Sequence, residues 1–380
     1  DALAVFGEGS GLDRYVEYLT AKGAGPTGRP LSMLSFLLND VAWPAHPFWF
    51  KYTNLMIHVV NGLLLYWLVL AVIRQRFKVI SNHHALIGVM VAGFWVLNPY
   101  QLSSVAYVVQ RMALLSTSCV FAGLLLYIAG RRSMLTGQTR QGVLLVLSGY
   151  VVGAGLGVFF KENAALYVLL VPIFEWTLFD KDERKGRLLV LMVYAPACLM
   201  LLALLSYFVH PSETYATLRD FSLSERLWSQ SRALGYYLWR YLIPGVSYVG
   251  VYADGFEKST GMLSPISTLF WLVTHVSLLL VAIVLRPKWP LITLGILFFY
   301  VGHSMESGAI PLELFFEHRN YLPSAMLLLG ALHLPERKTV SMVLVALVAV
   351  CAFLQYLQAG FWGHAESLHA IAVAENPRSE

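Results

Sequence analysis

The stretch QRMALLSTSCVFAGLLLYIAGRR, residues 110–132, decides the fold class of this chain. It carries no charge between Arg111 and Arg131. Because a membrane-spanning helix needs about 20 mostly apolar residues, the pattern predicts a helix that crosses a bilayer. Strong apolar runs of the same kind begin at Tyr52, Leu188 and Thr339.

The composition of the whole chain agrees with this prediction. Of its 380 residues, 57% are hydrophobic and 13% are charged, and the mean hydropathy is +0.62. A soluble domain carries about 25% charged residues. These values exclude a disordered chain, a coiled coil and an ordinary cytosolic enzyme, and they favour a polytopic membrane protein.

We therefore predict an all-α polytopic membrane protein with ten spans in this sequence. Residues 1–50 have the character of an exported segment, so we also expect at least one span before Asp1. The ten predicted spans are Tyr52–Ile73, Ala85–Tyr100, Gln110–Gly130, Gly142–Phe160, Ala164–Phe179, Leu188–Val209, Ser267–Leu285, Trp289–His303, Leu322–Leu334 and Thr339–Leu357.

The loops between these spans alternate in charge, which predicts the orientation of the chain. Five short loops hold 14 of the 27 Lys and Arg residues, and cytoplasmic loops carry such an excess. The other loops are longer and more acidic and are predicted to be exported. The net charge of +5 thus reflects topology, and we expect the lipid bilayer and no nucleic acid as a partner.

Five parts are predicted along the chain. Amphipathic patterns at Leu12–Leu19, Leu31–Asn39 and Ser224–Leu242 suit helices in the headgroup layer. The tail has a helical pattern that ends before Pro377 and is similar to the lead-in of a tetratricopeptide unit. The parts are an exported first loop at 1–50, a transmembrane core at 51–209, an exported loop with an interfacial helix at 210–266, a second core at 267–357, and an exported tetratricopeptide-like stump at 358–380.

Ionisable residues gather at the outer ends of the predicted spans, where they are costly and mark functional sites. Arg29, Arg111, Lys161 and Arg319 come from distant parts of the chain but share one predicted membrane depth. Guanidinium groups suit phosphate oxygens, and lysine adds a compact charge. The pattern predicts an outward-facing cavity for a lipid phosphate. No sequence motif indicates a metal site or a required cofactor.

Short motifs at these positions carry a resemblance to a known family. They are Arg29–Ser32 with Phe36, Asn54–Asn61 with His58, Asn98–Pro99 followed by Val105–Arg111, Lys161–Glu162, and Glu317–Ser324. In this order they resemble the GT-C superfamily of membrane glycosyltransferases. The most similar branch holds protein O-mannosyltransferases with tetratricopeptide repeats and bacterial relatives that glycosylate exported proteins such as pilins. The chain departs from that pattern at Asn98, where the family usually has His.

The resemblance implies a GT-C-like bundle that moves one sugar from a polyprenyl phosphate to a hydroxyl of an exported acceptor protein, with inversion. It implies that Asp1 is the catalytic base. The predicted roles of the other residues fall into two groups. The donor phosphate is bound by Arg111, Lys161 and Arg319, with Arg29 and His318 in support, and the cations or sugar hydroxyls are positioned by Glu162, Glu317, Tyr321 and Gln110.

Two alternatives remain open at this stage. A ligase or polymerase that moves a glycan from polyprenyl diphosphate would use a large basic exported loop, for which residues 210–266 are available. A lipid or solute transporter would have internal repeats and broken helices near the midplane. The short cytoplasmic loops favour a bacterial inner membrane, with the active site facing the periplasm.

Overall fold

The structure is a computed structural model, and it describes residues 12–20, 25, 28–39, 46–77, 79–209, 215, 219–246, 256–364, 366, 370 and 373, without the side chains of 12–14 and 20. These ranges are mainly helical and contain no strand. Asp1, the predicted base, lies outside the described residues. Most of the tetratricopeptide-like pattern also lies outside them. The last long helix ends at Trp362, and beyond it only residues 363, 364, 366, 370 and 373 are described.

The apolar runs of the sequence form most of the α-helices. In chain order these are α1 Leu12–Thr20, α2 Pro30–Leu37, α3 Pro47–Arg76, α4 Asn82–Leu97, α5 Leu102–Ala106, α6 Arg111–Leu135, α7 Thr139–Tyr150, α8 Tyr167–Leu178, α9 Arg187–Leu189, α10 Ala195–Val209, α11 Leu223–Leu242, α12 Ser267–Leu285, α13 Pro290–His303 and α14 Lys338–Trp362.

Tighter and wider turns connect or extend several of these helices. Turns of 3₁₀ type are common at helix ends, and π-turns appear within longer helices. The 3₁₀ segments are Pro99–Gln101, Val108–Gln110, Gly157–Phe159, Glu162–Leu166, Glu317–Asn320 and Pro323–His333, and the π segments are Val151–Leu156 and Val190–Tyr194.

Six helices in the described ranges are long and apolar enough to cross a membrane. A seventh span arises if α4 and Pro99–Ala106, which meet at a 49° bend, count as one. The membrane class of the chain is therefore supported, but the ten predicted spans are not confirmed. The six are Pro47–Arg76, Val108–Leu135, Thr139–Phe159, Arg187–Val209, Ser267–Leu285 and Lys338–Trp362.

The three remaining predicted spans form helices that are too short. α13 has 14 residues, α8 has 12, and Pro323–His333 has 11. At 1.5 Å per residue even α13 reaches only about 21 Å, less than the roughly 30 Å of a hydrocarbon core. Apolar composition alone did not reveal where each of these helices ends.

The chain divides into two compact units, and the division runs through α3. Unit 1 holds residues 1–64 and 104–167. Within it α6 packs against α7, and glycines permit this approach, because a Cβ on Gly123 would lie 2.8 Å from the carbonyl oxygen of Gly149. Small residues at helix contacts are typical of membrane bundles.

Unit 2 holds residues 65–103 and 168–380. Within it α13 packs on Pro323–His333, α4 packs on α14, and α11 packs on α12. Tyr100, Tyr237, Leu238 and Phe299 form one buried cluster. This cluster places the turn at Pro99–Gln101 beside α11.

Candidate functional site

The first group of predicted site residues in unit 1 is centred on Arg29, whose backbone is left-handed, with φ of 46° and ψ of 55°. This conformation is strained for a residue with a side chain, and such strain concentrates at functional sites. Gly25 faces the Arg29 side chain so closely that a Cβ there would lie 3.0 Å from the guanidinium. The turn before α2 therefore holds Arg29 in one fixed position.

Arg29 is held by a residue 133 positions away in the chain. Its Nη2 and Nε lie 2.8 Å and 2.9 Å from Glu162 Oε2, and its Nη1 lies 2.7 Å from Met112 Sδ. About a fifth of each ionic side chain is exposed, 19% for Arg29 and 23% for Glu162. The pair is thus partly desolvated but open to a ligand on one side.

Lys161 and Glu162 lie where the chain turns between two helical segments. Lys161 is extended and buried, and Glu162 begins a 3₁₀ turn. Ser32 of α2 donates a hydrogen bond to the carbonyl oxygen of Phe160 at 2.8 Å, which fixes α2 on this loop. Unit 1 therefore brings Arg29, Lys161 and Glu162 together.

Arg111 lies in the same unit but is completely buried. Its Nε donates to Asn54 Oδ1 at 2.8 Å, its Nη1 to the carbonyl oxygen of Ser35 at 2.7 Å, and its Nη2 to that of Phe50 at 3.0 Å. The guanidinium also lies 4.8 Å from the ring centre of Phe36. Arg111 ties together α2, α3 and α6, and its predicted contact with phosphate stays a prediction. Gln110, next to it, is also buried.

The second group of predicted residues follows the segment 306–316 in unit 2. That segment is held by Arg226 of α11, which is completely buried. Arg226 donates to the carbonyl oxygens of Glu306 at 2.7 Å, Gly308 at 2.8 Å and Glu313 at 3.2 Å, and also to that of Leu312. Burial and the charge of Arg319 lower the pKa of Arg226 to about 10, so it remains a cation at neutral pH.

The turn Glu317–Asn320 is supported by its own neighbours. Arg319 donates from Nη1 to the carbonyl oxygen of Glu313 at 2.6 Å, and Glu317 is buried. The ring of His318 stacks on Phe316, with ring centres 5.0 Å apart. Tyr321 is buried, and its carbonyl oxygen accepts a hydrogen bond from Trp95 at 3.1 Å.

A cleft of about 370 Å³ opens beside this segment. Arg219, Lys258, Glu313 and Phe316 are among the residues that line it. Its volume is in the range of sites for small ligands. The segment that directly precedes the predicted phosphate residues therefore borders a space where a ligand fits.

Glu313 lines the cleft, and its carboxylate pairs with Arg319. Its ionisation predicts how the stability of the protein changes with pH. Burial raises the pKa of Glu313, but a hydrogen bond from its own backbone and the cations Arg219 and Arg319 lower it overall. A carboxylate with a lowered pKa adds stability above its unfolded pKa of about 4.3 and loses it as the pH falls through the folded pKa. Between about pH 5 and pH 3, the unfolding temperature should fall less in Glu313→Gln than in the wild type.

The control for this experiment is Asp182→Asn, since Asp182 is 89% exposed and pairs with Lys185. Its pH profile should match that of the wild type. Equal losses of unfolding temperature in the wild type and Glu313→Gln would contradict the role given to Glu313.

Sequence analysis missed the arginines of α11 as parts of a site. It predicted that their helix lies in the headgroup layer, which stays a prediction, and it did not predict that Arg226 is completely buried. The mixture of arginines and aromatic residues was visible in the sequence. Which face of the helix is buried was not visible, because the buried residues include Arg226, Ser229 and Gln230 as well as apolar side chains.

No group of three or more His, Cys, Asp or Glu residues in the described ranges is arranged to hold a metal ion. Unit 1 pairs Arg29 with Glu162, the neighbour of Lys161 in the chain, and unit 2 holds Glu317–Tyr321 directly after residues that line a cleft. Comparisons of the chain with protein-family models, with curated proteins and with solved structures give no match.

Proposed function

We propose that this protein is a membrane glycosyltransferase of the GT-C type. It moves a single sugar from a polyprenyl phosphate to a hydroxyl of an exported protein, with inversion at the anomeric carbon. The observation that carries the proposal is the Arg29–Glu162 pair beside Lys161, because a strained arginine and a half-open ion pair at the end of apolar helices suit a charged ligand borne by lipid.

The reaction needs few groups from the protein. The bond between the anomeric carbon and the phosphate oxygen breaks, and the acceptor oxygen forms the new bond. Phosphate leaves without protonation, so cations that stabilise its charge and one carboxylate that takes the acceptor proton are sufficient. The proposal keeps Asp1 in the role of that base.

The remaining roles follow from the contacts described above. Lys161 and Arg29 are proposed to bind phosphate, and Glu162 orients Arg29. Arg111 and Arg319 are buried as well as donating to protein acceptors, whereas Arg29 is partly exposed, which favours a role for Arg111 and Arg319 in positioning α2 and the turn at Glu317–Asn320. Glu317, His318 and Tyr321 line the approach of the sugar or the acceptor in this proposal.

A transfer assay tests this function. The purified protein in lipid nanodiscs, given a polyprenyl phosphate with a radiolabelled sugar and a serine-rich peptide, should label the peptide and release polyprenyl phosphate. Mass spectrometry of exported proteins should find a glycan only in cells that contain this protein. Absence of both transfer and glycan would contradict the proposal.

A transporter is the second candidate, since the 49° bend between α4 and Pro99–Ala106 is of the kind found at transport sites. The same protein, placed in nanodiscs for transfer and in sealed vesicles for transport, separates the two functions. A glycosyltransferase consumes the sugar–phosphate bond of the donor, whereas a transporter moves the donor intact across the bilayer of a vesicle.

Within the proposed function, Glu162→Gln should reduce transfer roughly 10-fold to 100-fold, because one charge-assisted contact contributes about 1.5–3 kcal/mol. The unfolding temperature should fall only slightly, since glutamine keeps an oxygen that can accept from Arg29. Asp182→Asn, which breaks the exposed pair with Lys185, is the control and should keep full transfer. Full transfer by Glu162→Gln would remove the pair from the mechanism.

A further inference from the structure

Arg240 lies near the end of α11 and outside the five short basic loops. It differs from the other described arginines outside those loops in the hydrogen bonds of its terminal nitrogens. Its Nε donates to the Tyr236 hydroxyl at 2.7 Å, while its two terminal nitrogens donate to none of the described residues. Each of the other six whose side chains are described donates from a terminal nitrogen to a protein acceptor. These six are Arg29, Arg111, Arg219, Arg226, Arg232 and Arg319.

The position of the Arg240 guanidinium is fixed by Tyr236. The guanidinium lies 5.3 Å from the centre of that ring, and the ring itself packs edge-on against Phe315 at 5.0 Å. Such stacking fixes the plane of a guanidinium while its outer edge stays available. Arg240 therefore presents two fixed donors without a partner from the described residues.

Tyr100 supplies a third donor in the same neighbourhood, since it belongs to the buried cluster against which Tyr236, the partner of Arg240, packs. It is buried, and its hydroxyl has no hydrogen-bond partner among the described residues. Buried hydroxyl groups are nearly always hydrogen-bonded. A ligand that accepts from this hydroxyl would satisfy it.

Asn98 holds Tyr100 beside the end of α11. Its Nδ2 donates to the carbonyl oxygen of Tyr241 at 3.0 Å, and its Oδ1 accepts from the backbone nitrogen of Tyr100 at 3.0 Å. Tyr241 directly follows Arg240 in the chain. The bend after α4 and the last turn of α11 are thereby joined at the place where the unpartnered donors lie.

A buried carboxylate completes the surroundings. The carboxylate is that of Glu317. Burial lowers the pKa of Arg240, but the hydrogen bond to Tyr236 and the charges of Tyr236, Glu317 and Tyr100 outweigh this effect and raise the pKa overall. Arg240 is therefore always a cation. A carboxylate can only accept hydrogen bonds, so Glu317 suits a hydroxyl carried by the same ligand.

We propose that Arg240 and Tyr100 form a binding site for the phosphate of a phosphate monoester or diester. A guanidinium edge with two donors matches two oxygens of a tetrahedral phosphate, and the phenol matches a third. Exposed apolar side chains flank Arg240, among them Trp239 with 54% of its surface exposed. Such residues favour the headgroup layer, and a phosphate borne by a lipid lies at that depth.

This inference rests on the proposed function for the class of its ligand, a phosphate borne by a lipid, and it describes a site within unit 2 alone. It assigns the direct contact with phosphate in unit 2 to Arg240. Arg319 instead holds the segment 306–316, because it donates to the carbonyl oxygen of Glu313. The two ideas fail separately, since phosphate binding is measured without any transfer of sugar.

Farnesyl phosphate is the probe, and its dissociation constant is measured with the full protein in nanodiscs of phosphatidylcholine. Arg240→Gln should raise this constant roughly 10-fold to 100-fold, as expected for a charge-assisted contact. Tyr100→Phe should raise it about 3-fold to 10-fold, as expected for a neutral hydrogen bond. Farnesol should bind equally weakly to all variants.

Arg232→Gln is the matched control, because Arg232 lies on the same helix and donates to the carbonyl oxygen of Glu257. It should leave the constant for farnesyl phosphate within about twofold of the wild type, as for an arginine outside the site. The unfolding temperature of every variant is measured alongside. If Arg240→Gln does not fold, Tyr100→Phe carries the test.

Inorganic phosphate separates the two sources of the ligand. Competition by inorganic phosphate at the level of farnesyl phosphate would assign the site to free phosphate, and the absence of competition would assign it to a lipid. Either result supports a phosphate site if Arg240→Gln weakens binding. An unchanged constant in both Arg240→Gln and Tyr100→Phe, or no binding of either probe to the wild type, overturns the proposal.

Discussion

Replacing Arg226 with leucine is expected to release the segment 306–316 from α11 and to abolish sugar transfer. Arg226 is the donor to four carbonyl oxygens of that segment, and it is completely buried. Each hydrogen bond from a charged donor contributes about 1.5–3 kcal/mol, and buried carbonyls without donors are costly. We expect a loss of about 4 kcal/mol or more in the free energy of unfolding.

Hydrogen–deuterium exchange is the measurement for this prediction. In Arg226→Leu the amides of the segment 306–316 should exchange much faster than in the wild type, while those of α6 should not change. Arg226→Lys keeps the charge, but its N–H donors all lie on one nitrogen and cannot reach four separate carbonyl oxygens. It should therefore show most of the same loss. Exchange at wild-type rates in both variants would show that Arg226 does not hold the segment.

Arg232→Gln is again the control, because it lies on the same helix and is only partly buried. Its loss should be confined to the neighbourhood of Glu257 and Ser259, which Arg232 contacts. The comparison separates the effect of four buried carbonyl contacts from the general effect of removing an arginine from α11.

The membrane class and most helix positions could be predicted from the sequence, because apolar runs need no partner to be recognised. α3, α6, α10, α12 and α14 occupy the regions where spans were predicted. The lengths of α8 and α13 were not predictable, because where a helix ends depends on packing.

The partners of the charged residues could not be predicted. Sequence indicated that Arg29, Arg111 and Arg319 are costly in an apolar chain, and all three have acceptors. Several of those acceptors are backbone oxygens, such as that of Ser35 for Arg111, and a backbone oxygen has no signature in a sequence. Lys161 and Glu162 are neighbours in sequence, yet the partner that holds Glu162 is Arg29.

Arg111→Lys is the second substitution with a large expected effect. A lysine has one ammonium group and cannot donate at once to Asn54, Ser35 and Phe50, as the three guanidinium nitrogens do. With two buried acceptors left unsatisfied, we expect a loss of about 3 kcal/mol in the free energy of unfolding. Because Ser35 belongs to α2, residues 30–37 should exchange their amide hydrogens faster.

Arg132→Lys is the control for this substitution. Arg132 is exposed near the other end of α6, so its replacement should leave both stability and exchange unchanged. If Arg111 bound the donor phosphate directly, Arg111→Lys would weaken donor binding while the exchange of residues 30–37 stayed at the wild-type rate. That outcome would contradict the positioning role.

A double substitution tests how Arg111 affects transfer. Arg29 precedes α2, so an α2 released by Arg111→Lys also loses the Arg29–Glu162 pair. If Arg111 acts through that pair, Arg111→Lys combined with Glu162→Gln should reduce transfer no further than the more damaging single substitution. Independent effects would instead multiply. Multiplied losses would separate Arg111 from the Arg29–Glu162 pair and assign it a contact of its own.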